Sequence, residues 1–370
     1  MADLNVYFYV QPQEKGGYQH NSISLAQGLR ELGIPYAASA DYWQEADGAL
    51  LFRQDPAVDP ADFSVVVVSE QYLTYGNGNF PAGYFDLPGK KVFLTTGDGM
   101  ELHKQMRQRR YQRFDLIPTF LYGGLNHPDN FQPWAFGLSQ HMIDFSRLDG
   151  KKSPRICVNY RNSHSVRQQA QERIFDQLPP EILDTRRDPF NWRELADAEA
   201  YEDFLVFQSG GRHQKDYLER IARSSATATF GGHFYIKPWI WGWYPFKFIN
   251  YFVESAASIG RMNHLMKSIG LHTNHTYRIY QWDSWRFWET LAAKSVAINV
   301  DFEKYRCILP VMPENGKHYV GVDLKNPQPA MKRLRDATAL REIGEAGYAW
   351  ALEHYSPVAQ ARRLLAYLGK

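Results

Sequence analysis

Residues 64–69 read Ser-Val-Val-Val-Val-Ser, an unbroken apolar run between small polar residues. A strand wetted on one side alternates polar and apolar residues. A continuous β-branched run instead needs cover on both faces, as in a parallel sheet layered between helices. The flanking segments agree. Asn5–Val10 and Lys91–Thr96 are two more strand-like runs. Between the first two, Ser22–Leu32 sets Ile23, Leu25, Ala26, Leu29 and Leu32 at helical spacing, and Gly33 follows as a stop. Strand, turn and helix in repetition predict an α/β domain.

A polar stretch at 148–154 (LDGKKSP), with both Gly150 and Pro154, interrupts this rhythm. Beyond it the pattern restarts. Strands are expected at Arg155–Tyr160, Asp203–Gln208, Ala226–Phe230 and Ser295–Val300. Helices are expected at Ser165–Leu178, Lys215–Ser224, Trp285–Ala293, Leu334–Leu352 and Val358–Leu368. A helix is also expected over Met100–Arg113 in the first half. The 370 residues suit two domains at roughly 150 residues each, so the division is placed near residue 150. Residues 233–281 break the second half with a dense aromatic insertion, in a chain that is 15% aromatic.

Composition excludes several classes. Two cysteines, Cys157 and Cys307, cannot build a disulfide framework or a cysteine-rich zinc site. The first residues lack the basic start and apolar core of a signal peptide, and no long uncharged apolar window is present, so a cytoplasmic protein is expected. Forty-two basic against 40 acidic residues give a formal charge of +2, from which no nucleic-acid partner is expected.

In open α/β sheets, ligands gather beyond the carboxyl ends of strands. Lys15-Gly16-Gly17 follows the first strand and precedes a helix, where glycines and free N–H groups suit an anion. Gly97-Asp98-Gly99 follows another strand, but Leu102 stands where a dinucleotide fingerprint needs a third glycine, so no nicotinamide or flavin site is read there. Arg161, Arg212, Lys215 and Arg286 are the cations placed to neutralise a diphosphate. His20, at the head of the first helix, and Asp98 are the candidates for a catalytic base. Asp301 and Glu303 have an acidic-x-acidic spacing, yet no metal and no cofactor is expected.

The segment 282–298 (WDSWRFWETLAAKSVAI) carries the family signal. A helix with one glutamate, then small residues and a β-run, resembles the donor-binding segment of GT-B nucleotide-sugar glycosyltransferases. Asp283, Ser284 and Arg286 before Glu289 are similar to exostosin-like members. Lys15, Gly16 and Gly17 resemble the phosphate-side loop of glycogen-synthase-like members. Gln281 departs from the retaining branch, which often carries a second glutamate there.

The resemblance implies two Rossmann-like domains facing a cleft. Residues 1–150 would form the acceptor domain and 151–352 the donor domain. A C-terminal helix over 353–370 would pack back on the first domain. Glu289 would hold the donor ribose. The implied activity is transfer of a sugar from a nucleotide-sugar donor, without a metal, to a glycan, lipid-linked or small-molecule acceptor, in polysaccharide or glycoconjugate assembly. The aromatic insertion reads as core, as sugar-stacking surface, or as a peripheral contact at the inner membrane face. A non-catalytic carbohydrate or nucleotide binder on the same fold is the alternative.

Overall fold

The computed structural model describes residues 4–13, 17–75, 78–95, 109–119, 128–145, 152–160, 164–186, 192–196, 198–234, 279–280 and 282–369. Two parallel sheets organise the chain. In the first, the strands run in the order Tyr36–Ala38, Val6–Tyr9, Val65–Ser69, Lys90–Leu94. The valine run is its centre, and Val65 through Val68 are each 0% exposed. Val65 and Val67 pack into one hydrophobic cluster, Val66 and Val68 into another, so both faces of the strand are covered. The division of the pairs between two faces follows from the period-2 alternation of a strand.

In the second sheet the order is Leu183–Asp184, Ser153–Cys157, Ser224–Ala228, Val296–Val300, Val320–Val322, again all parallel. One expected member is absent from it. Residues 201–208 form a helix, Tyr201–Gln208, with Glu202 and Asp203 in its first turn. Acidic groups are stabilised there by the positive end of the helix dipole. A short apolar run does not by its pattern separate a buried strand from a helix. Two short strands, Leu183–Asp184 and Val320–Val322, complete the sheet instead.

Other boundaries shift modestly. The helix expected over Ser165–Leu178 ends at Arg173 and continues as a 3-10 turn, Phe175–Gln177. Of the helix expected over Met100–Arg113, only Arg109–Arg113 lies within the described residues, as a 3-10 turn. The division near residue 150 and nearly all of the aromatic insertion lie outside the described residues. Cys157 and Cys307 are free and buried. Among the described residues, no helix is long and apolar enough to cross a membrane.

Two helices close the chain. Asp336 caps Ala337–Tyr355 by accepting from the N–H groups of Thr338 and Ala339. Ser356 caps Pro357–Tyr367, with proline at the first helical position. This last helix lies on the first-half helix His20–Glu31. A Cβ at Gly28 would stand 2.0 Å from the Pro357 carbonyl oxygen, so only glycine allows the approach. Gln360 Nε2 donates to the Ala135 carbonyl at 2.9 Å, and the Tyr367 hydroxyl donates to the Pro133 carbonyl at 3.0 Å. The segment 133–139, which leads out of the first half, is thereby fixed against the final helix.

Candidate functional site

The site forms where the helix Tyr201–Gln208 ends. Gly210 and Gly211 adopt φ of 65° and 81°, which turns the chain sharply. His213 follows with φ 57°, a left-handed conformation that costs a non-glycine residue on the order of 1–2 kcal/mol. The turn sends Arg212 and His213 towards the helix Trp285–Ala292 and towards the head of His20–Glu31.

A continuous polar chain results. His213 Nδ1 lies 3.2 Å from Glu289 Oε1, and its Nε2 lies 3.2 Å from His141 Nε2. His141 Nε2 is 2.9 Å from the Tyr18 hydroxyl and 3.0 Å from Ser139 Oγ. The Tyr18 hydroxyl is 2.9 Å from His20 Nδ1. His20 Nε2 faces two carbonyl oxygens, of Phe136 at 3.0 Å and Gly137 at 3.2 Å.

Those carbonyls set the direction of every proton. They only accept, so His20 Nε2 carries the hydrogen and Nδ1 the lone pair. Tyr18 therefore donates to His20, and its oxygen is left to accept from His141 Nε2–H. His213 Nε2 faces that same N–H and holds a lone pair. The His213 proton then sits on Nδ1, beside the Glu289 carboxylate. A carboxylate behind one imidazole nitrogen and a lone pair on the other is the arrangement of a base.

Electrostatics supports these assignments. Burial, reinforced by His213, lowers His20 to about 4. Burial likewise holds His141 well below the ordinary histidine value. Both are thus neutral near pH 7. Burial works to raise Glu289, but the hydrogen bond and charge of His213, with Arg286 and Arg212, bring it below the ordinary carboxylate value. Arg212 stays exposed, its guanidinium 5.0 Å from the Trp285 ring centroid and 5.9 Å from that of Tyr18.

The expected site residues separate into groups. Glu289, Arg212 and His20 come together around His213 and Trp285, and Lys215 begins the helix that follows the glycine turn. Gly17 is described, and its carbonyl accepts from the Tyr42 hydroxyl at 3.4 Å. Lys15, Gly16, Asp98 and Arg161 lie outside the described residues. Arg286 is half-buried on the Glu289 helix.

Three placements correct the expectations. Asp283 faces inward: its Oδ2 accepts from Phe136 N at 2.9 Å and its Oδ1 from Trp288 Nε1 at 2.8 Å. Buried, and with no cation beside it among the described residues, its carboxyl is pushed up to about 7 by desolvation. Ser284 donates to the Thr229 carbonyl at 3.2 Å. His20 is fully buried, with both ring nitrogens engaged inside the protein, so it supports the chain rather than ending it. His213 is similarly buried, with Nδ1 at Glu289 and its Nε2 lone pair accepting from His141, and it was not among the expected site residues, nor were His141 and Tyr18. The one local signal was Gly210-Gly211 immediately before Arg212-His213.

Asp301, from the acidic-x-acidic pair, accepts from Asn315 Nδ2 at 3.0 Å. Among the described residues, no group of three or more His, Cys, Asp or Glu side chains is placed to hold a metal ion.

No family model matches the sequence, and no curated protein matches it. Solved structures do. An alpha-glucosyltransferase in complex with UDP and a 13-mer DNA containing a central A:G mismatch is similar with a TM-score of 0.52 at 8% identity, over 99% of both chains. An alpha-glucosyltransferase with UDP and a 13-mer DNA containing a HMU base gives 0.52 at 9%, over 100% of both. HepE of Anabaena, in complex with UDP and glucose, gives 0.48 at 11%, over 99% of both.

The alpha-glucosyltransferase structures overturn the expectation of no nucleic-acid partner, because a chain matched along its whole length is there in complex with DNA. Near-cancelling charge is a sum over the sequence and does not exclude a local basic face. Two parallel α/β sheets, a final helix returned to the first half, and a match spanning the chain place this protein in the GT-B fold, two Rossmann-like domains facing a cleft.

Proposed function

We propose that the protein is a glycosyltransferase that moves a sugar from a nucleotide-sugar donor, with UDP as the nucleotide. The observation that carries this reading is the buried Glu289–His213 pair, set beside the exposed guanidinium of Arg212 where the two halves meet. The GT-B fold and the UDP complexes of similar architecture support it.

In the proposed reaction an acceptor hydroxyl displaces the His141 N–H from His213 Nε2 and gives its own proton there as its oxygen bonds to the anomeric carbon. The bond from that carbon to the phosphate oxygen breaks, and its electron pair leaves with the diphosphate. Glu289 stabilises the imidazolium through Nδ1–H. This replaces the expected ribose contact, since Glu289 is buried and already has an internal partner. Arg212, Lys215 and Arg286 supply positive charge to the leaving group, so the transfer needs no metal in this reading.

A thermal-shift screen with UDP, GDP, dTDP, ADP and CMP, with and without EDTA, tests the proposal, followed by UDP-release assays with candidate saccharides. A ligand that binds only the folded state raises Tm with the logarithm of its excess over Kd. A UDP shift that survives EDTA is the expected result. No shift with any nucleotide, with or without saccharide, would overturn the reading. Nucleotide binding without UDP release would leave a non-catalytic binder on the same fold.

A further inference from the structure

The strands Tyr42–Gln44 and Leu50–Phe52 form a two-stranded antiparallel hairpin in the first half. Each strand of such a pair presents backbone groups along its outer edge. At Gln44 a side chain from the second half takes them. Gln208 Oε1 accepts from the Gln44 N–H at 3.0 Å, and Gln208 Nε2 donates to the Gln44 carbonyl at 2.9 Å. One amide thus stands where the peptide groups of a third strand would. Gln208 is 1% exposed, so bulk water does not compete for either bond.

The rest of its helix is docked on the same side. Gln13 Nε2 donates to the Gln208 carbonyl at 2.9 Å. Leu205 belongs to the first-half apolar cluster, and Tyr201 packs against it. The segment expected as a strand of the second sheet is therefore held by the first half instead. Gln44 itself follows Trp43, whose left-handed backbone (φ 62°) a bulky residue keeps only where its surroundings hold it.

A stiff turn carries this docking to Arg212. The Gly210 N–H donates to the Phe207 carbonyl and the Gly211 N–H to the Val206 carbonyl, each at 2.9 Å, the paired bonds of a Schellman helix end. Ser209 Oγ donates to the Arg212 carbonyl at 2.7 Å, and Arg212 Nη1 donates back to the Ser209 carbonyl at 2.9 Å. The chain from Val206 to Arg212 is thereby one braced unit with Gln208 at its centre. Its guanidinium lies over two rings, Tyr18 of the first half and Trp285 of the second, whose centroids are 4.7 Å apart. Arg212 is placed correctly only while the halves are in register.

We infer that Gln208 is a positioning residue for the donor's diphosphate, acting through Arg212 by pairing with the edge of the first-half hairpin. The inference rests on the reading of Arg212 as a diphosphate contact. It deepens that reading by making phosphate affinity depend on a hydrogen-bonded contact between the halves. Truncating Gln208 removes both partners of Gln44 at a buried place, so the contact loosens and the braced turn shifts with it.

The test is a double-mutant cycle, with UDP and uridine titrated calorimetrically into the full chain. Gln208→Ala should weaken UDP at least about threefold and uridine by less than about twofold, and should cost nothing further in an Arg212→Ala background. A residue that merely stabilises the fold would give additive losses, or would weaken uridine equally, and either result would overturn the inference. Gln208→Glu keeps the volume and the bond from the Gln44 N–H but loses the bond to its carbonyl. It should show a smaller loss in the same direction, so the cycle can be read even if circular dichroism shows the alanine variant unfolded. UDP binding that Arg212→Ala leaves unchanged would remove the Arg212 contact and this inference, with nucleotide binding still standing. A wild type that binds no UDP would remove the glycosyl-transfer reading itself.

Discussion

His213 and Glu289 meet inside the protein with side chains 0% and 5% exposed, and Nδ1 lies 3.2 Å from Oε1. Their contact joins the glycine turn after Tyr201–Gln208 to the helix Trp285–Ala292. The other nitrogen of the same imidazole faces His141 at 3.2 Å. In the proposed reading this histidine takes the acceptor's proton at Nε2 in place of that contact.

His213→Ala should therefore lower kcat by about 10²–10⁴-fold, the range for losing a positioned base, and change UDP affinity little. Glu289→Gln keeps the volume and removes the charge, so its kcat should fall less than that of His213→Ala. Circular dichroism would establish that both variants are folded. Unchanged kcat in His213→Ala would remove the base assignment.

If Arg212 meets the diphosphate as proposed, Arg212→Ala should weaken UDP binding by about tenfold and uridine binding much less, because the lost interaction is with phosphate charge. Isothermal titration of both ligands separates the two. An equal loss would place Arg212 away from the diphosphate.

The depressed histidine carries a pH signature. His20 binds its proton at about 4 in the fold, against 6.5 when unfolded, so the unfolded chain holds more protons between those values. Stability from this group is complete above about pH 6.5 and is lost as pH falls towards 4. The stability of the wild type relative to His20→Gln should fall by about 3 kcal/mol as pH is lowered from 6.5 to 4, measured by urea unfolding at fixed pH values. Asp283 has the opposite slope. Its carboxyl titrates near 7 in the fold, so its penalty accumulates as pH rises from 3.8 and levels off above 7. The His20 comparison cancels that contribution because both proteins contain Asp283.

Gly28→Ala should destabilise the protein by about 1–3 kcal/mol, although alanine favours helix by about 1 kcal/mol, because the added methyl meets the Pro357 carbonyl. A lower urea midpoint with unchanged slope is the expected observation.

The sheets were legible wherever one short segment contained the whole argument. Val65–Val68 needed nothing beyond its own composition to require a covered strand. Trp285–Ala292 and Val296–Val300 likewise announced themselves by period and branching. Tyr201–Gln208 did not, since eight residues of mixed aromatic and acidic character fit either period. The site was legible only in part. Glu289, Arg212 and His20 could be singled out, but their partners Tyr18, His141 and His213 belong to three separate segments that the fold brings together. Asp283 was selected for its resemblance to exostosin-like members, and only the position of Phe136, far away in sequence, reveals its internal partner.

The crossing of Pro357–Tyr367 onto His20–Glu31 has a consequence for synthesis. Ala361 and Leu364 complete the apolar cluster that contains Ile23, Leu25, Ala26 and Leu29. An elongating chain therefore carries an unfinished first half, with that helix face open to solvent, until translation has passed residue 367. A chain stopped at Tyr355 should bind a hydrophobic dye where the chain through Tyr367 does not, and equal binding by both would show the first half complete without its final helix. Folding in this architecture is closed from the far end, so a nascent first half must be kept from sticking to its neighbours while the second is made.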